Sequence, residues 1–344
     1  MNKLEKYLEN YFYSNAPAYF NLNAPPYLVK KVEEIKRAYS LILIYDIKFK
    51  IKGNVFAKKL FVKKDEKANF DRFGGIKKYQ KLMEEIKSYL DGAQNKKFFI
   101  PRIYDVIKAP PLVISEYIKG ENCEKTLFKF SNILSGMDKN KIILEDAVDL
   151  ILCLNEYDVG KLNIQENIPN MQKFIDYLKN DIAKEPFILF KTDLRKKLSL
   201  YLDHAKDEIK DDSKVGLISG DFQLKNIIIG KDNALYLVDF EPFVGPICLN
   251  ISQLITQIKN NKFAYPITLI LKSAELFTEI ILTKFRKKDS GRTSYEIIHF
   301  YLIKAALETT KYYFENKKIF WPILKTFLEK DIAKLLSVRY NRVG

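Results

Sequence analysis

The feature that most restricts the fold of this chain is a polar loop opening onto a short hairpin. Ser219-Gly220-Asp221-Phe222-Gln223-Leu224-Lys225-Asn226 is entered by the apolar run Val215-Gly216-Leu217-Ile218 and left by Ile227-Ile228-Ile229. Gly230-Lys231-Asp232-Asn233 then supplies turn residues, and Ala234-Leu235-Tyr236-Leu237-Val238 runs back to Asp239-Phe240-Glu241. Two apolar runs around a Gly/Asp/Asn turn predict a β-hairpin. Its open ends carry Asn226 and Asp239, so the hairpin would set an amide oxygen beside a carboxylate. A surface hairpin using Asp and Asn as ordinary turn residues is the plainer account of each residue taken alone. Asp-x4-Asn is common; the added Asp-Phe-Glu at this distance is what makes chance a poor explanation.

With 344 residues and 47% hydrophobic side chains, the chain is long enough for two globular lobes. The three cysteines, Cys123, Cys153 and Cys248, are widely spaced and odd in number, which gives no disulfide framework. With only His204 and His299 beside them, no zinc spacing arises, and a reducing cytoplasm is the expected home. The first residues lack the apolar core of a signal peptide. The most apolar later region, Tyr265 to Phe285, is interrupted by Lys272, Glu275, Glu279 and Lys284, and predicts a buried amphipathic helix in place of a membrane span. The net charge of +15 comes mostly from lysines spread along the chain, a pattern of solvated faces more than of a nucleic-acid surface. The tightest basic cluster, Lys284-Phe285-Arg286-Lys287-Lys288, follows a predicted helix, where cations favour the dipole unaided. Weak association with a membrane surface, or an anionic substrate, is compatible with it.

Along the chain, residues 3–15 and 27–36 read as short helices around the Pro25-Pro26 break. Apolar–lysine alternation then predicts an antiparallel pair, 41–51 with 55–62, around Lys52-Gly53-Asn54. A helix over 76–90 and strands near 101–106 and 112–117 follow. Beyond these, helices fit 141–157, 169–180, 190–210, 248–258, 264–285, 292–315 and 318–337, interrupted by the hairpin. Strands first and helices afterwards predict an α+β chain, with a sheet lobe over 1–118 and a mainly helical lobe over 119–344.

The Ser-Gly-Asp-x4-Asn loop, Val238-Asp239-Phe240-Glu241 and Gly245-Pro246 resemble the aminoglycoside phosphotransferase and choline kinase superfamily, which usually shows His-Gly-Asp-x4-Asn and Ile-Asp-[Phe/Trp]-Glu. Leu112 to Gly120 is similar to that family's hinge between lobes. The resemblance implies a protein-kinase-like two-lobed fold and transfer of the γ-phosphate of ATP, with Mg²⁺, to a hydroxyl of a small molecule or glycan. Asp221 would orient the acceptor and take its proton, and Asn226 and Asp239 would hold Mg²⁺ on the phosphates. Glu241 lies on the same side as Asp239 and would assist the metal or the acceptor. In the sheet lobe, Ala57-Lys58-Lys59 makes Lys59 the phosphate anchor, with Lys58 the choice if the register slips by one. Its glutamate partner would be Glu84 or Glu85. The adenine would meet backbone groups of Glu116 and Ile118, and Ser40, with Arg37, would face phosphate from the turn before the long strand, which lacks the usual glycines.

Two bracing positions depart from the family pattern. Ser219 stands where a histidine usually braces the loop, and Asn250 where an aspartate commonly opens the next helix. All three chemical positions are retained, which favours an active enzyme over a pseudoenzyme that binds nucleotide or a protein partner. A basic nucleic-acid binder is the remaining class and would show steep salt dependence. The short path from Glu241 to Gly245-Pro246 leaves no long activation loop, so a protein acceptor is disfavoured. Phe300, Tyr301, Tyr312, Tyr313 and Trp321 would either stack on a sugar or fill the core.

Overall fold

Leu8, Phe12 and Ala16 recur every four residues in helix α1 (Lys3–Tyr19), which gives the helix one apolar, buried stripe. That stripe needs a flat apolar partner, and the alternating strands provide it. In β2 (Ser40–Ile51), Leu43, Tyr45, Ile47 and Phe49 share a face, and in β3 (Asn54–Asp65) Leu60 and Val62 continue it. Val29 of β1 (Pro26–Lys36) and Leu112 and Ile114 of β6 (Leu112–Glu116) complete this core. Phe12 stands edge-on to Tyr45, ring centroids 5.0 Å apart. β5 (Ile103–Ile107) closes an antiparallel sheet in the order β1-β2-β3-β6-β5.

The computed structural model describes residues 3–36, 40–65, 70–92, 97–129, 138–161, 171–208, 215–264, 268–289, 295–316 and 321–340. These residues divide into two compact units. One is drawn from residues up to Gly120 together with 228–238, and the other from the remainder. The division falls two residues beyond the expected boundary, and most of the hairpin belongs to the first unit.

One expected element is corrected. Residues 27–36 form strand β1, not a helix. Lys30-Lys31-Val32-Glu33-Glu34 favours helix by composition, but β2 has a free edge and β1 satisfies it, with Val29 opposite Ile47 and Ile35 opposite Ile42. As an edge strand it carries charges outward and has irregular register between Lys31 and Glu33, both common ways of blunting an edge. α1 also runs one turn past its expected end, through Pro17 to Tyr19.

Helix α2 (Ile76–Gly92) buries Tyr79, Leu82, Met83, Ile86 and Leu90 and packs on β5. Asp105 of β5 ties three elements of the unit together. Its carboxylate accepts the Tyr11 and Tyr19 hydroxyls of α1, the latter at 3.2 Å, the Gln80 amide of α2 at 3.3 Å and the backbone N–H of Val106 at 2.7 Å. Burial, together with that carboxylate, pushes the Tyr11 hydroxyl up to about 12, and Tyr19 moves the same way. The expected hairpin is present: β9 (Ile227–Ile229) lies beside β10 (Leu235–Leu237), with Gly230 N–H donating to Ala234 O at 2.8 Å. β10 runs parallel to β4 (Phe98–Phe99) on its other side. Gly120 is pressed so closely against Ile229 O that a Cβ there would collide with it.

The second unit opens with β7 (Glu121–Asn122) and α3 (Cys123–Leu127), whose N-terminus is capped by Asn122 Oδ1 accepting from Lys125 N–H at 2.8 Å. Helices α4 (Asp138–Asn155), α5 (Met171–Ile182) and α6 (Thr192–Glu208) precede strand β8 (Val215–Ser219). After the hairpin, β11 (Pro242–Pro246) pairs antiparallel with β8, and α7 (Ile247–Ala264), α8 (Thr268–Asp289), α9 (Tyr295–Asn316) and α10 (Trp321–Tyr340) follow. No helix among the described residues is long and apolar enough to cross a membrane. The three cysteines are free.

Candidate active site

The site is built where β8 ends. β8 and β11 pair with Ser219 opposite Pro242, so the chain leaving the hairpin passes directly alongside the loop. Gly220 N–H donates to Glu241 O at 2.9 Å, which fixes Glu241 beside the residue preceding Asp221. Sequence reading did not anticipate β11. It is the element that sets Glu241 next to the loop.

Within the loop, apolar and polar side chains alternate in role. Phe222 and Leu224 are fully buried anchors, while Asp221 and Gln223 are half-buried. α3 packs against the turn Leu224–Asn226 from below. Both oxygens of Asp221 are oriented by amides of the same loop. Gln223 Nε2 donates to Oδ1, and Asn226 Nδ2 donates to Oδ2 at 3.3 Å and to the Asp221 backbone carbonyl at 3.2 Å. Asn226 is only 2% exposed, and with Nδ2 committed to Asp221 its Oδ1 is the atom left to meet a cation.

Asp239 has φ of 57°, in the left-handed region, where a residue other than glycine is uncommon and costs about 1–3 kcal/mol. Backbone held this way turns the chain sharply between β10 and β11. No three His, Cys, Asp or Glu side chains among the described residues converge as a metal cage. Asn226 Oδ1 and the Asp239 carboxylate are hard oxygen donors of the kind Mg²⁺ accepts, an ion that commonly takes one or two protein oxygens and completes its shell with phosphates and water.

The brace of the loop comes from α7. Asn250 accepts Ser219 N–H at 2.9 Å and donates to Ser219 O at 2.7 Å. Gln253 accepts from Asn250 Nδ2 at 2.9 Å and donates to Gly220 O at 3.2 Å. Gln257 accepts Leu224 N–H at 2.8 Å and donates to Phe222 O at 3.1 Å. The Ser219 hydroxyl, by contrast, is fully buried without a partner, so position 219 contributes no side-chain brace. The bracing that a histidine usually gives at this position is supplied here by a different device. Asn250 does more than an aspartate would, because a carboxylate can accept from Ser219 N–H but has no proton for Ser219 O. Gln253 and Gln257 were missed from the sequence. Their one signal is the spacing of 250, 253 and 257 along a single helix face.

In the first unit, Lys59 lies on the β3 face opposite the α1 core, together with Ala57, and Lys58 points the other way, over the Phe20 ring. Lys59 Nζ is 3.6 Å from Asp46 Oδ1, directly across the β2–β3 pair, and 5.4 Å from the Tyr117 ring centroid. The carboxylate beside Lys59 is therefore Asp46. Glu84 and Glu85 stand exposed on α2, Glu85 paired with Lys81 at 3.7 Å, because Leu82, Met83 and Ile86 take the buried face. Glu116 N–H donates to Arg102 O at 2.9 Å, so its amide is already engaged. Ile118 is half-buried just beyond. Ser40 is the first residue of β2, opposite Asp65, and Arg37 to Tyr39 of the expected phosphate turn lie outside the described residues.

The aromatic side chains of the late helices fill the core. Phe300 and Tyr301 are buried, and Trp321 packs between Phe190 and Phe314 at 6.4 and 5.1 Å. Tyr313 is half-buried, and the Tyr312 side chain lies outside the described residues.

No family model and no curated protein matches the sequence. Solved structures match in fold. A GDP complex of a mutant aminoglycoside 2'-phosphotransferase-IIIa covers 100% of this chain and 99% of its own at 15% identity, with a TM-score of 0.52. A choline/ethanolamine kinase family protein from Mesorhizobium loti covers 93% of this chain and 94% of its own at 12% identity and 0.53. Amicoumacin kinase in complex with AMP-PNP, Ca²⁺ and Ami covers 95% and 96% at 11% identity and 0.54. The chain has the kinase-like α+β fold of aminoglycoside phosphotransferases and choline kinases, as its motifs imply.

Proposed function

We propose that this protein is a phosphotransferase that moves the γ-phosphate of ATP to a hydroxyl of a small molecule, with Mg²⁺ as the metal. The observation that carries this reading is the Asp221 carboxylate, held at both oxygens by Gln223 and Asn226, in a chain whose overall fold is shared with small-molecule kinases. A fixed carboxylate beside an acceptor hydroxyl orients it and takes its proton as phosphorus–oxygen bond formation proceeds. Asn226 Oδ1 and Asp239 are the oxygens that would hold Mg²⁺, which neutralises charge on the transferring phosphates. Glu241 stands beside Gly220 and would assist the metal or the acceptor.

The first unit supplies the nucleotide contacts in this reading. Lys59, with Asp46 as its resting partner, is assigned to the α- and β-phosphates, the carbonyl of Glu116 and the backbone of Ile118 to the base, and Ser40 to the phosphate turn. Glu84 keeps a role only if nucleotide binding draws α2 and Lys59 together. The bound nucleotides of the fold neighbours, GDP in one and AMP-PNP with Ca²⁺ in another, support a purine nucleotide donor and a divalent ion.

The test is ATP consumption screened against amino sugars, aminoglycosides and choline, followed by Asp221→Asn. Removing the base is expected to lower turnover by about 10²–10⁴-fold while ATP still binds. Thermal shift with ATP plus Mg²⁺, against ATP plus EDTA, should show metal-dependent stabilisation that Asp239→Ala abolishes. An Asp221→Asn protein as active as wild type would overturn the assignment.

A further inference from the structure

The loop that carries Asp221 has lost the side-chain brace expected at position 219, yet four of its residues are laced to a single helix. The bonds fall on either side of Asp221. Gln253 Nε2 holds the carbonyl of Gly220, in the peptide group that leads into Asp221. Gln257 spans the far side, donating to Phe222 O and accepting from Leu224 N–H. Gln253 cannot turn over freely, because Asn250 Nδ2 occupies its Oε1 and leaves only its NH₂ for Gly220. The three side chains make a chain of neutral amides along one face of α7, each acting as donor and acceptor at once.

We infer that Gln253 and Gln257 are positioning residues of the transfer site, fixing Asp221 through the backbone on both sides of it; the inference rests on the function proposed above. Neither touches the reacting atoms. They set the direction of the peptide planes from which the Asp221 side chain springs, and a carboxylate that must meet a hydroxyl in line with a phosphate tolerates little angular error. Only an amide serves at 257, since a carboxylate lacks the donor for Phe222 O and an aliphatic side chain lacks both groups.

Gln257→Leu, Gln257→Glu and Gln253→Leu are compared with wild type in steady-state kinetics and in hydrogen exchange at the Leu224 amide. Gln257→Leu should lower kcat by about 10- to 100-fold with KM for ATP changed less than about twofold, and should speed exchange at Leu224. Gln257→Glu retains the acceptor for Leu224 N–H, so Leu224 stays protected while kcat falls to an intermediate value. That near-isosteric variant keeps the test sound if Gln257→Leu folds poorly. Gln253→Leu should lower kcat and leave Leu224 protected. Wild-type kcat in Gln257→Leu and Gln253→Leu would overturn the inference, as would a kcat loss that merely tracks Tm with Leu224 exchange unmoved. A wild-type protein with no acceptor-dependent ATP turnover, yet with Leu224 protection that depends on Gln257, would sink the proposed function and sustain the bracing.

Discussion

The sheet of the first unit and the loop of the second are held in place by unlike forces. Leu43, Tyr45, Ile47, Phe49, Leu60 and Val62 meet Leu8, Phe12 and Ala16 of α1 through apolar contact alone. Residues 219–224 are held by five hydrogen bonds from Asn250, Gln253 and Gln257 to backbone. Burying a large apolar side chain stabilises a fold by about 1.5–3 kcal/mol, whereas a neutral hydrogen bond contributes only about 0.5–1.5 kcal/mol net. Apolar contact tolerates small shifts of angle; hydrogen bonds do not. The first arrangement supplies stability, and the second supplies direction at little energetic gain, which is what the role proposed for Asp221 requires.

The comparison breaks most plainly at Phe12. Phe12→Ala leaves a cavity against Tyr45 and should cost about 3–5 kcal/mol in urea unfolding. Exchange at the Leu224 amide in the folded protein should stay as in wild type, because no bond of the α7 ladder is touched. A loss under about 1 kcal/mol would mean that α1 is not the lid of this core.

Gly216 sharpens the other side. It lies in β8, three residues before Ser219, and a Cβ there would collide with both the Asn155 side chain and its backbone carbonyl. The carbonyl has no rotamer to retreat into, so β8 must move. Gly216→Ala should cost about 1–3 kcal/mol and also speed exchange at the Ser219 amide, which Asn250 protects. If stability falls and Ser219 stays protected, the strand shifts as a body with α7, and direction at the loop does not depend on this contact.

What was legible in the sequence follows the same divide. Alternation exposed β2 and β3, and four-residue spacing exposed α1, because apolar burial leaves a periodic trace in residue types. Asp221, Asn226 and Asp239 stood out in the sequence because the motif they form asks for particular side chains at particular spacings. The ladder did not, since its partners are backbone groups, which every residue carries, and glutamines at 253 and 257 read as ordinary helix surface. Asp46 was hidden for a related reason: its place beside Lys59 depends on the β2–β3 register, which sets Asp46 opposite Lys59. β1 was misread because its Lys and Glu favour helix, while the pairing that makes it a strand lies in β2.

The smallest expected effect tests a polar anchor of the apolar unit. Tyr11 donates to Asp105, and its hydroxyl is raised to about 12, chiefly by burial and then by that carboxylate. The folded chain therefore holds this proton more tightly than the unfolded chain, where tyrosine titrates near 10. Its contribution is complete below pH about 10 and is lost as pH rises from about 10 to about 12. Tyr11→Phe removes that loss along with the bond, so at pH 8 it should be less stable than wild type by about 0.5–1.5 kcal/mol. Asp105 still accepts from Tyr19, Gln80 and Val106, so no buried carboxylate is orphaned. Urea midpoints of the two proteins should converge as pH rises above 10, because only wild type carries the Tyr11 titration, whereas Tyr19 titrates in the same direction in both. Lysine deprotonation is common to both and cancels in the difference. Parallel curves from pH 8 to 11 would show that Tyr11 anchors α1 by packing alone, and the contrast between the apolar sheet and the polar loop would then be sharper.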